Sequence, residues 1–185
     1  MKSKLLVISS LLLLHFALAR GQNSSADSAD HANHPFRPPS LAECLKTASP
    51  DGRFQVDENR NPFYLRADFD GDGKPDYAVV VEGQRTKRNG VLICTSRHEF
   101  FVLGADSAPD PPFSDMPHDD FVAPDWDIVT KDDLVAWQQA HTKMPVPKGE
   151  GITMIWDDHI GLIYWDGKAY RWGSYEDKGG IPLDE

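Results

Sequence analysis

Asp68, Asp70, Asp72 and Asp76 place four carboxylates within nine residues, and Gly71 and Gly73 let the backbone bend around them. Oxygen donors at alternating positions are what a hard divalent cation requires. Calcium takes six to eight oxygens, and calcium loops supply them from side chains at alternating positions and from a backbone carbonyl at the seventh. Counted from Asp68, the ligand positions hold Asp68, Asp70, Asp72, the carbonyl of Lys74, and Asp76. Gly73 falls at the sixth position, where such loops turn sharply, but Val79 stands at the twelfth, where a helical loop carries a bidentate Glu. Four like charges in one turn repel each other unless they share a cation. The simpler alternative is an Asp-Gly hairpin turn with no ion.

The flanks speak against a helix pair. Asn61-Pro62-Phe63-Tyr64-Leu65-Arg66-Ala67 leads in and Tyr77-Ala78-Val79-Val80-Val81-Glu82 leads out, both rich in aromatic and β-branched residues that suit strands. The expected element is a calcium loop joining two strands. The segment from Ala67 to Val79 resembles the metal loop of FG-GAP and VCBS-type repeats, known from integrin-like propellers and bacterial extracytoplasmic proteins. The resemblance implies that the loop aspartates bind calcium and that the flanking strands belong to one sheet. It covers roughly 20 residues and occurs once, whereas a propeller needs several four-stranded blades, so it implies the loop and its ion but not a propeller.

Two further groupings carry potential chemistry. His118-Asp119-Asp120 and Asp157-Asp158-His159 combine imidazole with carboxylate, as a metal-dependent hydrolase would. Both fall in expected loops or turns, where Asp is favoured for backbone reasons. Neither has metalloprotease spacing, and no nucleophile elbow or phosphate-binding glycine loop accompanies them. Near the carboxy terminus, Trp156, Tyr164, Trp165, Tyr170, Trp172 and Tyr175 crowd into twenty residues. Exposed rings there, with Trp165 and Trp172 as the candidate binding surface, would suit a protein or glycan partner and a calcium-dependent carbohydrate-binding module. Filling the core of a small sheet is the plainer use of such rings.

The elements that must position these residues read as an α+β domain: an antiparallel sheet or meander with two short helices and the calcium loop between two strands. Ser40 and Glu43 have capping-box spacing ahead of Leu41, Cys44 and Leu45, and Thr130 with Asp133 caps a helix near 131–141. Strands are expected near 63–67, 77–82, 90–95 and 99–103, and a closing meander near 152–156, 160–165 and 169–172. The Pro- and Asp-rich stretch 105–125 reads as irregular loop.

Lys2 and Lys4 precede an apolar run from Leu5 to Leu14 that continues through Phe16 to Leu18, and Ala17-Leu18-Ala19 offers small residues at both positions a signal peptidase reads. This has the three regions of a secretory signal peptide, so residues 1–19 are expected to direct export to the periplasm or the medium, without membrane insertion. Residues 20–39 are polar and expected to be a disordered linker, leaving 40–185 as one domain. Cleavage would remove Lys2 and Lys4, leaving 17 basic against 29 acidic groups, a formal charge of −12 that argues against nucleic acid and anionic membrane surfaces as partners. In an oxidising compartment the even pair Cys44 and Cys94 is expected to form a disulfide, with two buried thiols as the alternative.

Overall fold

The computed structural model of the chain describes residues 37–105, 123, 125–140, 144–156 and 159–176. Helix α1 (Pro39–Ala48) is followed by strands β1 (Phe54–Val56), β2 (Leu65–Ala67), β3 (Asp76–Gly83), β4 (Asn89–Cys94) and β5 (Phe100–Gly104). After them come β6 (Asp125–Val129), helix α2 (Lys131–Ala140), β7 (Gly151–Ile155), β8 (His159–Trp165) and β9 (Tyr170–Glu176). The strands form two antiparallel sheets. One has the order β1-β3-β4-β5, with β2 also pairing along β3, and the other the order β6-β7-β8-β9. The expected α+β class, the two helices and the closing meander are all present.

Alternation along the strands sorts the side chains into three clusters and the fold into four layers. Ala78, Val80, Val91 and Ile93 of the first sheet meet Trp126, Ile152, Met154, Ile163 and Tyr170 of the second, so the sheets pack face to face. Val79, Val81, Leu92 and Cys94 point the other way, onto Leu41, Cys44, Leu45 and Ala48 of α1. On the outer face of the second sheet, Leu162 and Tyr164 cover Leu134 of α2. Strand β3 is therefore enclosed on both faces, and Ala78, Val79, Val80 and Val81 are all fully buried. A continuous apolar run, in place of alternation, is what such a central strand demands.

Three local readings of the sequence need correction. Helix α1 does not use Ser40 and Glu43 as a capping box: it starts at Pro39 with Pro38 as its N-cap and no side-chain cap. Proline lacks an N–H and has its φ preset, so it opens a helix without help from a capping hydroxyl. The second cap is as expected, with the Thr130 hydroxyl donating to Asp133 Oδ2 at 2.5 Å and accepting from the Asp133 N–H at 3.3 Å. Strands β1 and β6 were not anticipated. In β6, Asp125 and Asp127 are exposed while Trp126 is buried, and its Nε1–H donates to the Pro62 carbonyl at 2.9 Å. Pairing with β7 makes a strand of a segment in which two poorly strand-forming aspartates interrupt Trp126, Ile128 and Val129. At the other end, Arg37 is buried against Glu58 at 3.4 Å and lies over the Phe63 ring, so the folded part begins within the last residues of the expected linker.

Cys44 and Cys94 form a disulfide with Cα atoms 6.0 Å apart, tying α1 to the end of β4 across a separation of 50 residues. Replacing both by Ser is expected to lower the unfolding free energy by about 2–5 kcal/mol. Denaturant titration checks this, and equal midpoints for the two proteins would mean that the bridge adds no stability.

Candidate metal centre

The acidic loop occupies residues 68–75 between β2 and β3, and Asp76 is the first residue of β3. One carboxylate oxygen from each of Asp68, Asp70 and Asp76 lies within 4.8 Å of the others. The loop wraps its own backbone around these groups. Asp68 accepts from the Asp72 N–H at 2.9 Å through Oδ1 and from the Gly73 N–H at 2.9 Å through Oδ2. Asp70 Oδ1 accepts from the Asp72 N–H at 3.0 Å. Asp76 Oδ2 receives the Phe69 and Asp70 N–H groups at 2.9 and 3.1 Å. Gly71 and Gly73 have φ of 75° and 83°, which residues with a Cβ rarely adopt.

Two segments distant in sequence clamp the loop. From the β4–β5 turn, Ser96 donates its N–H to Asp76 Oδ1 at 2.7 Å and its hydroxyl to Asp72 Oδ2 at 2.8 Å. From the same turn, Arg97 reaches Asp70 Oδ2 at 2.7 Å. From the segment entering β7, Glu150 accepts the Asp68 N–H at 2.8 Å and returns its own N–H to the Asp68 carbonyl at 2.8 Å. The approach is close enough that a Cβ on Gly149 would run into the Asp68 carbonyl, and one on Gly71 into the Lys148 carbonyl. The loop is thus held by both sheets.

Of the residues expected to form the site, Asp68, Asp70 and Asp76 converge. Asp72 lies beside them with Oδ1 accepting the Lys74 N–H at 2.8 Å and Oδ2 on Ser96, and the Lys74 side chain is exposed. Sequence reasoning missed Ser96, Arg97, Glu150 and Tyr170, since no spacing links them to the loop.

The donor set is all oxygen and predominantly carboxylate, which suits a hard cation and not zinc. A second observation points the same way. Tyr170 is buried, and its hydroxyl has no hydrogen-bond partner among the described residues. Burial first, and then the charges of Asp76, Asp70 and Asp68, hold its proton far more tightly than usual. A buried phenol facing a carboxylate field lacks an oxygen partner, and water bound at the loop would be one. The residues fit a metal ion.

Trp165 and Trp172 are half-buried and pack on the core between the sheets. Trp165 lies 4.9 Å from Tyr170 and 5.5 Å from Phe101 between ring centroids, and Trp172 meets Trp156 edge to face at 6.1 Å. His118, Asp119, Asp120, Asp157 and Asp158 lie outside the described residues, and His159 contributes its backbone to β8. No family model, curated protein or solved structure matches this chain.

Asp76 is fully buried. Burial, reinforced by the Asp70 charge, outweighs its N–H donors and raises its pKa from 3.8 to about 6. The folded chain therefore holds a proton that the unfolded chain releases near pH 3.8. Stability contributed by protonated Asp76 is present below that value, declines as pH rises, and is gone above about 6. In chelator, carboxyl-carbon NMR should find one loop aspartate titrating near 6, and a divalent cation should move that transition to lower pH. A normal Asp76 titration would contradict the buried placement.

Proposed function

We propose that this chain is an exported, calcium-binding structural or binding module without catalysis of its own, its loop equivalent to that of a single FG-GAP/VCBS-type repeat. The observation that carries the reading is the convergence of Asp68, Asp70 and Asp76 in a loop pinned by Ser96 from one sheet and by Glu150, just before β7 of the other. Calcium supplies the positive charge that such a gathering of carboxylates lacks. The residues do the rest: Asp68, Asp70, Asp76 and, from its neighbouring position, Asp72 offer oxygens, the Lys74 carbonyl adds one, and the backbone N–H groups hold the carboxylates in place.

The setting agrees. The Cys44–Cys94 bridge suits an oxidising compartment, and among the described residues no helix is long and apolar enough to cross a membrane. Free calcium is abundant outside cells, where even a weak site fills. A protein or glycan partner would meet the exposed edges of Trp165 and Trp172.

Calcium is expected to raise the melting temperature of the protein by several degrees, corresponding to about 2.7 kcal/mol at a hundredfold excess over Kd. The double substitution Asp68→Asn with Asp70→Asn should erase the difference between calcium and chelator. Identical melts of the unaltered protein in calcium and in chelator would dispose of the calcium reading.

A further inference from the structure

The metal reading leaves Arg97 unexplained. Its side chain is 51% exposed while that of Asp70 is 2% exposed, so a solvent-facing cation reaches inward onto an enclosed carboxylate. Nη2 and Nε lie 2.7 and 3.1 Å from Asp70 Oδ2, and Nε is 3.7 Å from Asp72 Oδ2. The oxygen it occupies is distinctive. Both oxygens of Asp68 and both of Asp76 accept backbone N–H groups, as does Asp70 Oδ1. Among the six carboxylate oxygens of the cluster, Asp70 Oδ2 is the one that receives no backbone N–H among the described hydrogen bonds. That oxygen is the least committed to the fold and the most available to an ion. Arg97 also comes from a separate element, the turn between β4 and β5, so it can withdraw without unwinding the loop.

We propose that Arg97 is a tethered counter-ion that competes with the metal ion for Asp70 and so sets the affinity of the site. The proposal rests on the metal reading above. With no ion bound, the guanidinium neutralises part of the loop's charge and keeps Asp70 and Asp72 together. When the ion takes Asp70 Oδ2, two cations cannot share that oxygen without repulsion, and Arg97 swings into solvent, where the nearby Glu99 charge still attracts it. Arg97 is a positioning residue for the empty loop and an opponent of the filled one.

The two roles have opposite signs in one variant. Arg97→Ala should melt at a lower temperature than the unaltered protein in chelator, because it loses the charge that offsets the loop carboxylates. It should nevertheless bind calcium about ten-fold more tightly in a calorimetric titration with calcium chloride, the order expected for a dication and a guanidinium a few ångströms apart at the dielectric constant of water. Arg97→Lys, which keeps the charge and loses the fork, should restore most of the lower affinity. In the unaltered protein, the Arg97 Nε–H NMR signal, assigned by its absence from the lysine variant, should exchange with water faster once calcium is added. Calcium binding that is equal or weaker in Arg97→Ala, with the unaltered protein binding normally, overturns the counter-ion role alone. Absence of calcium binding in the unaltered protein overturns the metal reading and this proposal together. An Nε–H unchanged by saturating calcium overturns the release of Arg97 even if the alanine variant is too unstable to titrate.

Discussion

Asp76 carries a carboxylate into the interior at the foot of the central strand, and burying that charge places demands on three parts of the chain at once. Its Oδ2 accepts the Phe69 and Asp70 N–H groups, which curls the acidic loop back toward the strand it precedes. Its Oδ1 accepts the Ser96 N–H, which draws in the turn between β4 and β5. An enclosed carboxylate without such donors would cost several kcal/mol. The donors available are backbone groups of the loop itself, so satisfying Asp76 and shaping the loop are one and the same event. Asp68 and Asp70 then come to lie beside it, and their combined charge becomes the chief electrostatic debt of the fold.

The layers explain why that charge sits where it does. The two sheets pack through a common core, while α1 and α2 close the outer faces. Where β3 emerges from this core, the loop is exposed on one side and clamped on the other by the segment that enters β7. Glu150 and the Asp68 backbone exchange hydrogen bonds there, and Gly149 permits the contact because it has no Cβ. Whatever stabilises the loop therefore stabilises the seam between the sheets. The disulfide works from the opposite face, fastening α1 to the end of β4 two residues before Ser96. Two cross-braces meet at one turn, one covalent and one ionic.

Aromatic residues divide their labour along the same lines. Trp165 and Tyr170 pack with Phe101 between the sheets, and Trp172 lies against Trp156 with a ring edge over Gly161. These rings act first as core, and only their outer edges are offered to solvent. Tyr170 is the exception, because its buried hydroxyl feels the charges of Asp76, Asp70 and Asp68. The core and the candidate site are contiguous there.

The acidic loop was legible in the sequence because its ligands are local: alternating aspartates and two glycines define both the turn and the hard-oxygen chemistry within nine residues. Most strands were legible for a similar reason, since β-branched and aromatic runs bounded by Gly and Asp carry their own signal, and the Thr130–Asp133 cap spans only three residues. Other features had no local signature. In strand β6, Asp125 and Asp127 favour turns and interrupt the strand signal of Trp126, Ile128 and Val129, and the strand forms because β7 lies beside it. Pro38 and Pro39 start α1 where a capping box stood one residue later as a decoy. The clamps on the site reach across 27 residues from Asp70 to Arg97 and 82 from Asp68 to Glu150. Sequence by itself determined which atoms would seek a cation. Only the tertiary structure decided which of them converge, which charges oppose an ion there, and which sheet holds the loop, because each of those depends on contacts that exist once the two sheets have packed.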